Sequence, residues 1–360
     1  MTPRLTGTIR IVGAGLLGTS IGLALSKQGV DVTLDDVSPA NQRLAIDYGA
    51  GRKPAAGDSP ALIVVCVPPD VTARTVAAEL QAFPDAVVTD VASVKLEISK
   101  QLVAAGADLS RYVGSHPMAG RERGGALAGR ADLFFTRPWI IASSEASSAQ
   151  AVRLVESMVL DLGAVPVRMD AQSHDRAVAM VSHVPQVISS LLAARLNNAV
   201  AEDVSLAGQG LRDTTRIAAS DPALWVQILS ANADQVKPIL EDLAADLADV
   251  ISALGDVEAS GSLGVIGDAI SRGNKGVGQI PGKHGSRAQN YARVVVMIDD
   301  KPGQLARLFA EIGEYGINLE DLKLEHSPGA EIGLTELFVV PDVEQKLIDA
   351  LTERGWRIAG

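Results

Sequence analysis

Residues 8–18 read TIRIVGAGLLG, a short run of strand character that enters glycines spaced G-x-G-x-x-G. The apolar residues that follow recur at helical spacing, so the glycines stand between a strand and a helix. In that setting each glycine has its own use. Gly13 permits the tight turn, Gly15 lets a pyrophosphate approach the backbone, and Gly18 allows the helix to pack closely on the strand. Leu16 and Leu17 fill the variable positions where the helix begins and its free N–H groups can face phosphate. The motif alone is a weak signal; its context strengthens it. The second strand ends at Asp35 and Asp36, and Asp36 stands 18 residues after Gly18, near the ~20 at which an acid binds the ribose hydroxyls. A helix-capping aspartate in an ordinary turn would account for either residue, and the spacing favours Asp36. A carboxylate there repels a 2′-phosphate and no arginine follows at once, so the expected dinucleotide is NAD rather than NADP.

Working outward, strands are expected at 8–12, 31–34, 62–67, 86–89, 112–115 and 139–142, with helical stretches between them. Continuous apolar runs alternating with helices indicate βαβ units and a parallel sheet covered on both faces. Over 171–267 strand signals vanish and Ala, Leu and Val recur at helical spacing. Ser220-Asp221-Pro222 reads as a helix start, a capping side chain followed by proline. The stretch 269–290 holds five glycines, four basic residues and no acid, the composition of a solvated linker. A minority reading makes it a flap that brings positive charge to an anionic ligand. From residue 293 the order strand, helix, strand, strand, helix, strand spans some 70 residues, a ferredoxin-like βαββαβ module. The expected organisation is an α/β Rossmann-type nucleotide-binding domain at 1–168, an all-α substrate and dimerisation domain at 169–288, and the βαββαβ domain at 291–360.

Composition sets outer bounds. A chain of 360 residues, 47% of them hydrophobic, has room for two or three cores. The net charge of −11 argues against nucleic acid and anionic membranes as partners. An anionic substrate would therefore need locally arranged cations. No apolar run reaches the 18 or so residues of a membrane span, the N-terminus lacks a cleavage signal, and the one cysteine, Cys66, reads as a small buried hydrophobe. The cytoplasm is the expected compartment. The apolar content of the helical segment suggests a dimer interface.

Five histidines mark possible chemistry. His284 and His326 fall in a linker and a hairpin turn, and both are expected in solvent. His174, beside Asp175 and Arg176, is expected on a polar helix face. His116 differs, because it follows a strand at the carboxyl end of the sheet, where open α/β sheets bind ligands. Ser93 follows the neighbouring strand at the same end. A histidine there can take a proton from a substrate hydroxyl while hydride leaves the same carbon, and Ser93 could orient either group. His183 precedes Pro185, whose kink could turn it into a cleft. Arg212 and Arg216 stand four apart on an expected helix, with Asp213 able to pair with Arg216. They read either as a surface ion network or as a carboxylate anchor.

Together GAGLLG, DVASVK, GSHPMAGRE, SHVPQ and GLRDTTRIAASDPALW resemble prephenate dehydrogenase, the oxidative decarboxylase of tyrosine synthesis. The likeness runs from the first strand to about Trp225. The resemblance implies that His116 is the catalytic histidine, that Ser93 is its serine partner, and that Arg216 holds a substrate carboxylate. It implies further that His183, Asp213, Glu122 and Trp225 contact or support the substrate, and that the helical domain makes a homodimer. One departure is visible: many members carry a second histidine where this chain has Gln186. IPGKHG and the C-terminal module resemble bacterial members with an ACT domain. That likeness implies an aromatic amino-acid effector near Asp300-Lys301-Pro302-Gly303 and Gly316-Ile317-Asn318, or else a purely structural brace. Arogenate dehydrogenase, with the same chemistry on an amino substrate, and a non-catalytic ligand-sensing relative are the competing readings.

Overall fold

The computed structural model describes residues 2–120, 124–281, 291–326 and 332–359. They divide into two compact units, Met1–Val200 with Thr214–Asp242, and Ala201–Asp213 with Leu243–Gly360. The first unit is built on β1 (Thr8–Val12), β2 (Val32–Asp35), β3 (Pro60–Val65), β4 (Val87–Asp90), β5 (Tyr112–Pro117), β6 (Pro138–Ala142) and β7 (Val165–Arg168). Their order in one sheet is β2-β1-β3-β4-β5-β6-β7. The first five are parallel and are joined by helices Leu16–Ser26, Pro39–Asp47, Pro69–Ala82 and Leu96–Ala104. The chain turns to β2 on one side of β1 and to β3 on the other. The crevice outside the carboxyl ends at such a switch point is where ligands bind, and the glycine turn stands there.

Side chains alternate between the sheet's two faces, and both faces are covered. Leu62 and Val64 join Ile9, Ile11 and Trp139 in one apolar cluster. Ile63 and Val65 join Val76, Leu80 and Leu102 in another. A fully buried side chain of this kind contributes roughly 1.5–3 kcal/mol, which explains why the strands read as unbroken apolar runs. Ile228 and Trp225, on the helix Pro222–Ala231, pack into the second cluster. That helix begins as expected, with the Asp221 side chain accepting from Ala223 N and Pro222 in the first turn.

Two features of the sheet differ from the sequence reading. β6 runs antiparallel to β5, where a wholly parallel sheet was expected. Among its described residues the link between them has turns but no helix longer than the 3-10 turn Ala126–Ala128, and a parallel return usually needs a crossover helix. β7 was not anticipated. It follows the helix Ala149–Asp161 and pairs in parallel with β6; its four residues, VPVR, are half-exposed and include a proline, which weakens the strand signal.

Past β7 the helices Ala171–Val178 and Val184–Arg195 are joined by a π turn at Ala179–His183. Pro185 lacks an N–H and its ring crowds the carbonyl four residues earlier, so the backbone widens just before it. The stretch Ala171–Asn198 is long and apolar enough to cross a membrane by length and composition. It nonetheless buries His174, Asp175, His183, Gln186 and Ser189, and neighbours in the unit hydrogen-bond most of them.

In the second unit, β8 (Ala292–Asp299), β9 (Asp321–His326), β10 (Ile332–Val339) and β11 (Arg357–Ala359) form an antiparallel sheet in the order β11-β8-β10-β9. Helices Gln304–Glu314 and Glu344–Glu353 complete the expected βαββαβ sequence. Their apolar sides meet Val294, Val296, Ile298, Leu337 and Val339 in a core closed by Trp356. The hairpin tip at 327–331 lies outside the described residues.

Two local expectations fail here. The linker expected at 269–290 begins as helix, because Ser262–Val277 runs through its first part. Gly273 and Gly276 cost about 1 kcal/mol each inside a helix, and none of the helix's residues is buried. Ala269 and Gly273 face Leu243, Leu247 and Val250 of the helix Ala233–Gly255 across a small cavity. Lys283, His284 and Arg287 lie outside the described residues. Nor do Arg212 and Arg216 share one helix: Gln209–Thr215 ends before Arg216, which opens the 3-10 turn Arg216–Ala218.

Candidate active site

The glycine turn has the shape a dinucleotide needs. Gly13 has φ +103, and a Cβ there would sit 2.4 Å from the carbonyl oxygen of Cys66. A Cβ on Gly18 would lie 1.9 Å from the Gly13 carbonyl oxygen, whereas one on Gly15 would meet nothing within 4 Å. Two of the glycines thus hold backbone against backbone, and the middle one faces open space. Gly15 caps the helix Leu16–Ser26 without any side-chain hydrogen bond, leaving the first N–H groups, at Leu16 and Leu17 among them, for an anion. The two aspartates after β2 separate clearly. Asp35 is ion-paired with Arg10 at 2.7 Å. Asp36 accepts from Ala14 N at 2.6 Å and from Ser38 N at 2.7 Å, so it is the acid tied to the turn. The residues fit an NAD cradle.

His116 lies within β5, one residue from its end, opposite Ile140. Ser115 before it is buried against the other face, donating to Asp90 O at 2.8 Å, so strand alternation sends His116 the other way. Its Nδ1 lies 2.9 Å from Nε2 of His174, with the rings edge to face at 76°. His174 is fully buried, not on the polar face expected for it. Its Nδ1 lies 2.7 Å from Asp175 Oδ1. Asp175 in turn accepts from the backbone N–H groups of Lys95 at 2.8 Å and Leu96 at 2.9 Å, capping the helix Leu96–Ala104 from a distant part of the chain. His174 and Asp175 are site residues that sequence reasoning missed. The available signal was an adjacent His-Asp pair leading into an apolar helix.

A buried ion pair lies beside them. Lys95 Nζ contacts Asp90, and the Tyr112 hydroxyl donates to the other Asp90 oxygen at 2.7 Å. Burial pulls the Lys95 pKa down, with Asp90 working against it. Burial also holds His116 well below the usual imidazole range, and the Lys95 ammonium, like any proton added to His174 or His183, pushes it the same way. His174 is lowered by burial, which Asp175 opposes. His183 is lowered to about 4, again by burial. All three imidazoles are therefore neutral near pH 7.

The other expected residues are placed as follows. His183 is buried in the π turn, its ring edge-on to Trp225 with centroids 6.0 Å apart. Asn232 donates to His183 Nδ1 at 3.0 Å and to Asp175 O at 2.8 Å, joining His183 to the same set. Ser93 stands half-buried in the turn after β4, with no hydrogen bond to His116; the partner of Nδ1 is His174. Arg216 is exposed in a turn packed against the helix Val184–Arg195. Gln186 is buried between Ser190 and Ser220. Asp213 belongs to the second compact unit, where it accepts from Gln209 at 2.7 Å. Glu122 lies outside the described residues.

Family models and relatives match most of the chain. The model described as "Prephenate dehydrogenase, nucleotide-binding domain" matches residues 21–168, and "Prephenate dehydrogenase, dimerization domain" matches residues 170–261. The chain is 37% identical to "Probable prephenate dehydrogenase NovF" of Streptomyces niveus over 97% of its own length and 98% of the relative's. In fold it is similar to prephenate dehydrogenase from A. aeolicus solved with hydroxyphenyl propionate and NAD+, at a TM-score of 0.65, 24% identity and coverage of 75% and 98% of the two chains. It is similar also to Synechocystis arogenate dehydrogenase, at a TM-score of 0.60, 23% identity and coverage of 74% and 99%. With family models covering most of the chain and one relative matching nearly all of it, this protein belongs to the prephenate dehydrogenase family.

Proposed function

We propose that this chain carries out the NAD-dependent oxidative decarboxylation of prephenate to 4-hydroxyphenylpyruvate. The observation that carries the reading is His116, a neutral imidazole at the carboxyl end of β5, backed by His174 and Asp175 in the unit that holds the glycine turn. NAD, when bound, supplies the hydride acceptor. His116 takes the ring hydroxyl proton as the carbinol carbon loses hydride. The bond from the ring to its carboxylate then breaks, carbon dioxide leaves, its electron pair completes the aromatic ring, and the phenolate oxygen takes its proton back from His116. Arg216 pairs with a substrate carboxylate, and His183 and Trp225 line the substrate's place. Position and one proton acceptor suffice, because aromatisation provides the driving force. The test is NADH absorbance on adding prephenate and NAD to the full-length chain; no NADH above background removes the reading.

The arogenate reading is favoured by one observation, the fold likeness to an arogenate dehydrogenase. Steady-state kinetics on both substrates separate the two. The protein works in the cytoplasm as a homodimer. Exposed Leu247, Ile251 and Leu254 on the helix Ala233–Gly255 support the dimer, since a free apolar stripe invites a partner. The βαββαβ module acts as an ACT-type regulatory domain taking an aromatic amino acid near Gly303 and Gly316. What supports this is the positive φ of both glycines, at the two ends of the helix Gln304–Glu314. Tyrosine that neither binds nor alters the rate would remove it.

A further inference from the structure

We infer that His174 and Asp175 are positioning residues that fix the proton inventory of His116, so that its Nε2 is the nitrogen left to act as base. The inference deepens the proposed function and rests on His116 being the proton acceptor.

The argument follows the hydrogen bonds outward from Asp175. Its carboxylate accepts from two backbone N–H groups, Lys95 and Leu96, and an ionised carboxylate can only accept. The 2.7 Å contact from Asp175 Oδ1 to His174 Nδ1 therefore places the His174 proton on Nδ1. A neutral imidazole with Nδ1–H has a lone pair on Nε2. The 2.9 Å contact between that nitrogen and His116 Nδ1 then requires His116 to donate from Nδ1. In neutral His116 this leaves Nε2 without a proton. Reversing any one bond would aim two protons, or two lone pairs, at each other.

The charges around the chain keep this arrangement neutral. Lys95 and Asp90 face His174 as a buried pair, and His183 stands near both imidazoles. A second proton on His116 or His174 would be buried beside the Lys95 ammonium. When His116 takes a proton from substrate, the new charge is passed no further: His174 holds the ring still, and Asp175 offsets the charge through it. Ser93 makes no part of this chain of bonds.

The test uses the full-length protein labelled with 15N at histidine. Long-range 1H–15N spectra distinguish the two neutral tautomers, and wild-type His116 should show Nδ1–H at pH 7.5. A dominant Nε2–H form would overturn the inference whatever the activity. His174→Leu removes the acceptor. We expect kcat to fall about 100-fold with KM for prephenate within about twofold, the signature of lost proton-transfer geometry rather than lost binding. His174→Gln, whose amide oxygen can stand in for Nε2, should recover at least about tenfold of that loss. Unchanged kcat and an unchanged His116 tautomer in His174→Leu would also overturn it. If His174→Leu does not fold, the wild-type spectrum decides alone. His116→Asn, assayed in parallel, separates the two readings: full turnover there sinks His116 as the base, while the spectrum still reports the tautomer.

Discussion

Asn232 donates to Nδ1 of His183 across 3.0 Å, and the same amide nitrogen reaches the Asp175 carbonyl at 2.8 Å. The carbonyl bond fixes which end of the Asn232 amide is nitrogen, so His183 must accept at Nδ1 and carry its proton on Nε2. That Nε2–H is buried with no partner among the described residues. Leaving a buried donor unpaired costs about 1–3 kcal/mol, and a substrate oxygen would satisfy it. His183 is thus held neutral by its surroundings.

Stability should depend on this neutrality. The His183 pKa is lowered from 6.5 to about 4 in the fold. Above pH 6.5 it is neutral folded or unfolded, so its contribution is fully present. As pH falls from about 6.5 towards 4, the unfolded chain takes a proton that the folded chain refuses, and about 3 kcal/mol is lost. His116 and His174 shift in the same direction. Urea midpoints measured from pH 7.5 to 4 should drop across that window, less steeply in His183→Gln. Parallel curves for the two proteins would contradict the assignment.

The rate should report His116. With its pKa held well below 6.5 by burial and neighbouring charge, kcat/KM should stay level as pH falls through 6.5 and decline only in stronger acid. His116→Asn should lower kcat by about 10²–10⁴, the usual worth of a general base. An acid limb centred above pH 6.5 would mean another group controls the rate.

Arg216→Gln should raise KM for prephenate by about 100-fold, as expected for loss of a charge-assisted pair to a carboxylate, with a smaller effect on kcat. KM for NAD should stay within about twofold. Initial-rate measurements varying each substrate in turn decide it, and an unmoved prephenate KM would remove Arg216 from the site.

The two helix-side glycines should fail differently. Gly18→Ala drives a methyl to within 1.9 Å of the Gly13 carbonyl, and such overpacking costs about 1–3 kcal/mol or more. Thermal denaturation should show the loss. Gly15→Ala meets nothing in the fold and should melt near wild type while raising KM for NAD about tenfold. Equal melting losses in both variants would mean that the open space at Gly15 is not a ligand's.

Lys95→Met should destabilise the protein by about 3–5 kcal/mol, because it leaves the Asp90 carboxylate buried without its cation. Adding Asp90→Asn should recover part of that loss, since the charge no longer needs a partner. Urea denaturation of the single and double variants measures both effects, and additive losses would show that the pair is not coupled.

Much of the molecule was legible from residue order. The glycine turn, five parallel strands, the helix start at Asp221-Pro222 and the C-terminal βαββαβ order rest on interactions between residues close in the chain: turn φ angles, caps and apolar periodicity. His116 could be placed because strand ends mark ligand sites in open α/β sheets. The antiparallel β6 could not, since a strand's direction depends on which link the chain uses to return. His174 and Asp175 look like polar surface residues in sequence, and 80 residues separate Asp175 from Lys95. A side chain's burial and its hydrogen-bond partner are set by whichever distant element covers it, so the tertiary structure alone decided what stands behind His116.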